Sequence, residues 1–272
     1  MNEIDDASVD RLLDVIHETY HYDFRGYARP SLCRRVQSAV ARFGLSTIDE
    51  LTSSIVRRPG AFGDVLSHLT VQVSDMFRDP AYFRYFREEI VPVLRTYPSR
   101  KLWIAGCSTG EEAYSFAIIL KEESLLARTL IYATDIHGRS LRAAEAGVYG
   151  LERIRTFSEN HRKTGARISL SEHYTAGPHG AVFDRSLREC LVFADHSLAT
   201  DAVFAEVQVV SCRNVLIYFG PELQHRALGL FERSLVRQGW LGLGPRETVE
   251  FSPVRDAFHA GPERWYRKRD RR

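Results

Sequence analysis

The stretch from Trp103 to Ser115 combines an apolar run, a turn holding Gly106 and Gly110, and two acids, Glu111 and Glu112, that open a helical segment. Glycines placed between a strand and a helix let the backbone approach a ligand closely at the carboxyl edge of a sheet. The spacing is G-x-x-x-G. It is not the dinucleotide fingerprint G-x-G-x-x-G, and no GK[ST] follows. Glu111 and Glu112 stand where a helix N-terminus would otherwise attract phosphate. They would repel a pyrophosphate and suit a ligand with a positive group; acids there also simply complement the helix dipole. A second apolar run ends at Asp135, 29 positions after Gly106. An acid in that place commonly takes ribose hydroxyls, or else only caps the strand end. A third run carries Arg213 and Asn214 to the same edge, followed by Tyr218 and Phe219, which serve equally well as core aromatics. The polar segment 69–79, ending in Arg78 and Asp79, reads by itself as a solvated turn.

These residues need a scaffold, and the hydrophobic pattern supplies one. Val9, Leu12, Leu13 and Ile16 form one helical stripe, and Leu32, Val36, Val40 and Phe43 another that Gly44 would end. Thr47 and Glu50 have capping-box spacing ahead of Leu51, Ile55 and Val56. Asp79-Pro80 looks like a helix start, with Phe83, Phe86, Ile90 and Leu94 on the buried face. After a polar link at 96–100 the pattern becomes short apolar runs alternating with helices: strands at 102–105, 130–134, 190–194 and 207–211, and helices at 111–122, 139–146 and 221–238, the last stopped by Gly239. Residues 240–243 and 265–267 read as edge strands. The alternation implies a parallel sheet covered by helices. Residues 150–189 break it and read as an inserted subdomain.

The chain has 272 residues, 44% hydrophobic and 26% charged, the balance of a folded protein with a substantial core. No apolar run reaches the roughly 20 residues that span a bilayer. The acidic start, MNEIDDASVD, is not a secretory signal. Cys33, Cys107, Cys190 and Cys212 are far apart, which fits a reducing cytoplasm rather than a disulfide framework. There is no HExxH, GxSxG or P-loop and no metal-ligand spacing; His137 and His196 read as structural, Cys107 as a packing residue. The net charge of +2 hides a basic stretch, with Arg25, Arg29, Arg34, Arg35 and Arg42 and no acid in residues 25–42, and a basic tail after Pro262. A basic face suggests an acidic partner. DNA is the weaker choice, because no recognition motif accompanies it.

Taken together, Ser74-Asp-Met-Phe-Arg-Asp-Pro80, Ala105-Gly-Cys-Ser-Thr-Gly-Glu-Glu112, Ala133-Thr-Asp135, Cys212-Arg-Asn-Val-Leu-Ile-Tyr-Phe219 and Gly242-Leu-Gly244 with Glu247 resemble the CheR family of chemoreceptor glutamate methyltransferases, over nearly the whole chain. The resemblance implies an α/β protein: an all-helical N-terminal domain at 1–97, then a Rossmann-like S-adenosylmethionine-dependent methyltransferase domain at 98–272 with a small β-subdomain inserted at about 150–189. It implies S-adenosylmethionine as donor, S-adenosylhomocysteine as product, no metal, and glutamates of methyl-accepting chemoreceptor cytoplasmic helices as acceptors. By similarity Gln72, Ser74, Arg78, Gly106, Glu111, Asp135, Ser197, Leu198, Arg213 and Asn214 would bind the cofactor, with Ser74 and Arg78 at its methionine end. Gln72 and Ser197 stand where the family usually has Asn. Arg78 and Tyr218 would serve catalysis, Arg78 by orienting the acceptor carboxylate and Tyr218 or Phe77 by facing the sulfonium. Arg34, Arg35 and Arg42 would grip the acidic receptor helix. Nothing demands more than a monomer or insertion into a membrane. Two other readings stay open: a CheR-like regulator that binds the cofactor without methylating receptors, and a small-molecule methyltransferase on the same fold.

Overall fold

The computed structural model describes residues 5–270. The first four residues of the acidic start, and Arg271 and Arg272 of the basic tail, lie outside the described residues. The chain begins with helices α1 (Asp6–Tyr20), α2 (Arg29–Arg42), α3 (Ile48–Arg57), α4 (Phe62–Leu69), α5 (Pro80–Tyr85) and, after a π-helical turn at Phe86–Ile90, α6 (Val91–Leu94). The α1 stripe is buried as its spacing predicts, and Asp5 caps the helix by accepting from the N–H groups of Ala7 and Ser8. On α2 the buried stripe is Leu32, Cys33, Val36 and Ala39, while Val40 and Phe43 are only half-buried. The Thr47 hydroxyl accepts from the Glu50 N–H at 3.1 Å, but the Glu50 carboxylate reaches one residue further back, to the Ser46 N–H at 2.8 Å. Leu51 and Ile55 are buried; Val56, expected beside them, is exposed. Asp79 precedes α5 as expected but caps nothing. Its backbone is left-handed (φ 57°), and its carboxylate turns away to Arg213.

The second part runs β1 (Arg100–Ala105), α7 (Glu111–Glu122), β2 (Thr129–Asp135), α8 (Gly138–Ala146), β3 (Val148–Tyr149), α9 (Leu151–Lys163), β4 (Tyr174–Gly177), β5 (Gly180–Phe183), α10 (Arg185–Arg188), β6 (Leu191–Asp195), β7 (Val207–Cys212), α11 (Pro221–Ser234), β8 (Leu235–Leu243), β9 (Phe258–Ala260) and β10 (Trp265–Lys268). Seven strands form one sheet in the order β6-β2-β1-β7-β8-β10-β9. The first five are parallel and β10 is antiparallel to both neighbours. The chain leaves β1 toward β2 and β6 on one side and returns to β7 and β8 on the other. That reversal opens a crevice at the carboxyl ends of β1 and β7. This is a helical N-terminal region followed by a Rossmann-like methyltransferase sheet.

Three expectations change. The last helix ends at Ser234, not 238, and the chain enters β8 directly at Leu235. Gly239 is therefore no helix stop. It lies inside β8, where the register with β7 slips between Val207 and Val209 and where a Cβ would come within 3.1 Å of the Gln208 carbonyl. Residues 240–243 and 265–267 are not edges either: β8 and β10 lie inside the sheet, and β6 and β9 end it. In the insert, the three-stranded sheet β3-β5-β4 starts at Val148, and its largest element is the 13-residue helix α9, so the region is mixed rather than β.

Apolar clusters cover both faces of the sheet, and Tyr82 stacks on Trp265 with ring centroids 4.4 Å apart. The helical region joins the sheet by a backbone bridge from Tyr27 to Phe219, with Ala28 N–H donating to the Tyr218 carbonyl at 2.9 Å and Gly220 N–H to the Gly26 carbonyl at 2.8 Å. The insert is anchored by a buried carboxylate. Nε2 of His161 and of His173 lie 2.8 and 3.0 Å from Glu122 Oε1, and Arg87 donates to Oε2. Burial alone would raise the Glu122 carboxyl; the hydrogen bonds from His161, His173 and Arg87 overcome it and hold the group far below the usual carboxylate range. Three donors on one carboxylate, one of them a guanidinium, describe a latch rather than a cation site. A depressed carboxyl contributes stability above its unfolded pKa of about 4.3, and that contribution is lost as pH falls below it. Urea denaturation at pH 7 should find Glu122→Ala about 3–5 kcal/mol less stable than wild type, and the gap should narrow as the pH is lowered toward 3. A gap below about 1 kcal/mol at pH 7 would mean that the cluster is not the anchor.

Candidate active site

Residues 70–75, Arg78, 106–108, 135–136, 196–198, 213–215 and 217–219 converge on a cavity of about 280 Å³ at the crevice between β1, β2 and β7. The turn after β1 shapes it. Gly106 has φ 73°, and a Cβ there would stand 2.4 Å from Val215 Cγ2, so only glycine lets the two segments pass. Ser108, Phe77, Asp79 and Asn214 are also left-handed, so much of the strained backbone of the chain gathers around this one cavity.

Asp135 sits at the end of β2 with little exposure. Oδ2 accepts from the Ser108 N–H at 2.8 Å and Oδ1 from the His137 N–H at 2.9 Å. Burial pushes its carboxyl up, and those backbone donors oppose the shift. Two carboxylate oxygens offer about four acceptor sites, so the carboxylate keeps capacity for a ligand hydroxyl. Gln72 Oε1 accepts from Ser108 Oγ at 2.9 Å and from Ser140 Oγ at 2.6 Å. The side chain ties the 70–78 segment to the glycine turn and to α8. Ser197 N–H donates to Asp201, and its hydroxyl accepts from the Ala199 N–H at 3.3 Å, so it organises the loop that carries Leu198 along the cavity.

Ser74 and Arg78 also line the cavity, and Arg78 has no hydrogen-bond or ion-pair partner among the described residues. Arg213 lines the cavity, but its guanidinium is committed. It donates to Asp79 Oδ2 at 2.5 Å and to Glu112 Oε2 at 3.2 Å, and it lies 4.2 Å above the Tyr82 ring. Asn214 exposes its side of the turn because its own N–H donates to Glu247 at 3.0 Å. The N–H groups of Val215 and Gly244 reach the same carboxylate at 2.9 and 2.6 Å, and that of Ile217 at 3.4 Å. Glu247 is buried without a cation, and burial raises its carboxyl against those four donors.

Several expected residues sit elsewhere. Glu111 is fully buried outside the cavity, bonded to Thr109 Oγ1 and to Arg153 at 2.6 Å; Glu112, the next residue along α7, is the acid that faces the cavity. A helix turns by about 100° per residue, so adjacent acids cannot share one face. Phe77 does not line the cavity; it packs in the core against Phe83 and His161. Tyr218 does line it, with one ring face covered by the Arg35 guanidinium at 4.3 Å. The basic stretch divides. Arg25 pairs with Asp23 and Arg29 with Asp6 and Asp10, while Arg35 turns inward and donates to the Leu69 carbonyl at 2.7 Å. Arg34 and Arg42 stay exposed and have no ion pair among the described residues. His137 links the helical region to α8 through Ser67 at 2.9 Å and Ser140 at 2.7 Å. Arg153 was not foreseen at all.

Among known proteins, the model of the CheR methyltransferase all-alpha domain matches residues 7–70, and that of the CheR methyltransferase SAM binding domain matches residues 72–266. A Pseudomonas putida protein named "Putative methyltransferase Cher3" is 51% identical over 265 residues, covering 97% of each chain. A Listeria monocytogenes chemotaxis protein methyltransferase is 29% identical, with 86% of this chain and 87% of the relative covered. Chemotaxis protein methyltransferase 1 of Pseudomonas aeruginosa is 28% identical, with 80% and 82% covered. Most of the cavity lining falls within the second matched region, with Tyr27, Arg35 and Thr70 from the first, and the chain belongs to the CheR methyltransferase family, with S-adenosylmethionine as its cofactor.

Proposed function

We propose that this chain transfers a methyl group to glutamate side chains of methyl-accepting chemoreceptors, forming methyl esters in chemosensory adaptation. The observation that carries the reading is that one cavity is lined both by a ribose-type acid, Asp135, and by a guanidinium, Arg78, unpartnered among the described residues. The names of two relatives, as chemotaxis protein methyltransferases, support the acceptor class.

The walls suit S-adenosylmethionine. Gly106 gives the close backbone approach that a nucleoside needs. Asp135 would take the ribose hydroxyls, and Leu198 and Asn214 would flank the base. Ser74 would hold the amino-acid end, with Glu112, rather than Glu111, as the acid for its ammonium. When bound, the cofactor supplies an electrophilic methyl on a sulfonium. A glutamate acceptor is already ionised at pH 7, so the chain needs no general base. Its own task is alignment and exclusion of water, effects that together reach about 7–11 kcal/mol in model systems. Arg78 would orient the acceptor carboxylate through charge-assisted hydrogen bonds. Arg35 holds the Tyr218 ring at the mouth, which would fix the wall beside the reacting carbon. Arg34 and Arg42 would steer an acidic helix to that mouth.

Calorimetric titration with S-adenosylmethionine and S-adenosylhomocysteine should give saturable binding that Asp135→Ala weakens at least about tenfold, or about 1.4 kcal/mol. A folded chain that binds neither ligand would remove the reading. With a receptor cytoplasmic fragment as acceptor, Arg78→Ala should lower kcat/KM by about 10- to 100-fold, the loss of about 1.5–3 kcal/mol expected for a hydrogen bond to a charged group. Donor binding without any methyl transfer would instead mark a regulator. Arg34→Glu with Arg42→Glu should raise the KM for receptor at low salt, and the difference should shrink at about 1 M salt, where the Debye length is near 3 Å. An unchanged KM at low salt would exclude these two residues from the docking surface.

A further inference from the structure

The segment Ser74–Arg78 belongs to no helix or strand, and Ser74, Asp75 and Arg78 line the cavity. What fixes it comes from the insert. The Arg153 guanidinium, on the first turn of α9, donates to the Ser74 carbonyl, to Asp75 Oδ1 at 3.0 Å and to Glu111 Oε1 at 2.6 Å. Two turns further along α9, Asn160 Nδ2 donates to the Met76 carbonyl at 3.2 Å. The His161 ring packs on Phe77, with centroids 4.8 Å apart. Phe77 N–H is taken by Ser115 Oγ at 2.9 Å. Four consecutive residues of the segment are therefore each held, and one face of α9 touches all four.

The carboxylate at the base of this arrangement is Glu111, fully buried at the start of α7. Thr109 Oγ1 and Arg153 satisfy it. A planar guanidinium can reach a buried acid, a side-chain acid and a backbone carbonyl at once, which a lysine ammonium on a flexible stem cannot do with the same geometry. We propose that Arg153 is a positioning residue: by bridging buried Glu111 to Ser74 and Asp75 it sets the wall that receives the amino-acid end of the cofactor, so that the inserted region governs affinity at that end and not at the adenosine end. The inference rests on the cofactor assignment made under Proposed function. It also explains why Glu111 is an acid although it never reaches the cavity.

The test compares two ligands that differ at one end. S-adenosylhomocysteine carries the amino acid; 5′-methylthioadenosine keeps the adenosine and lacks it. The double variant Glu111→Gln/Arg153→Met removes the buried acid together with its cation and so leaves no buried charge unpaired, while the half-exposed Asp75 loses its partner to water. Arg153→Lys, which keeps a cation for Glu111, replaces it if the double variant does not fold, as judged by a cooperative thermal transition. Affinity for S-adenosylhomocysteine, read by calorimetry, should fall about tenfold or more. Affinity for 5′-methylthioadenosine, read by NMR titration, should stay within about twofold of wild type. An equal loss for both ligands, or no loss for either, would overturn the role of Arg153 alone. A wild-type chain that binds neither would overturn the cofactor assignment and this inference with it.

Discussion

Four backbone N–H groups pointing at one buried carboxylate set the shape of this molecule's cavity. Glu247 gathers the amides of Asn214, Val215, Ile217 and Gly244, and no cation competes for it. Amides held this way are satisfied inside the protein, where leaving them unpaired would cost about 1–3 kcal/mol each. The turn they belong to then has one conformation. From it follow the position of Val215 against Gly106, the direction in which Arg213 enters the core, and the placing of Tyr218 under Arg35. The same turn leads into Phe219, where the helical region meets the sheet.

A second network works from the other side. Buried Arg213 is held over Tyr82 between the mostly buried Glu112 and the half-exposed Asp79, and Tyr82 in turn bonds Ser211 at 2.7 Å and stacks on Trp265. Gly242 faces that tyrosine so closely that a Cβ would lie 1.9 Å from its hydroxyl. Charges this deep are tolerated because each has a partner. They leave Arg78 as the cation that the cavity presents to a ligand.

Much of this was legible in the sequence, and the failures have physical causes. Short apolar runs with glycine turns announce a parallel sheet, and α7 falls on its expected span because its periodicity and its acids agree. Asp135, Arg213 and Asn214 could be singled out because strand ends in such a sheet face one crevice, whereas Ser74, in a segment that reads as a solvated turn, was marked only by the family resemblance. Choosing between Glu111 and Glu112 needed the helix phase, which adjacent residues of one type do not reveal. Gly239 misled because a glycine that ends a helix and one that sits in a strand irregularity look alike. Arg35 could not be separated from Arg34, since the division of a basic stretch depends on which side meets the sheet. Arg153 lies in a polar helix 79 residues from Ser74, and no local pattern signals a pairing over that distance.

The cavity's walls come from chain positions as far apart as Tyr27 and Phe219. No short fragment contains them, and the parallel sheet beneath them is built from pairings of high sequence separation, the kind that slow folding. The complete lining thus needs both regions: the helical one supplies Tyr27, Arg35 and Thr70, and the rest comes from the chain that follows. A bound ligand would favour the folded state by RT ln(1 + [L]/Kd). Because it touches the helical region, the glycine turn and the 213–219 turn together, that gain would be shared across the joint between the two regions, so that the small molecule acts as a clasp on the architecture as well as a reactant.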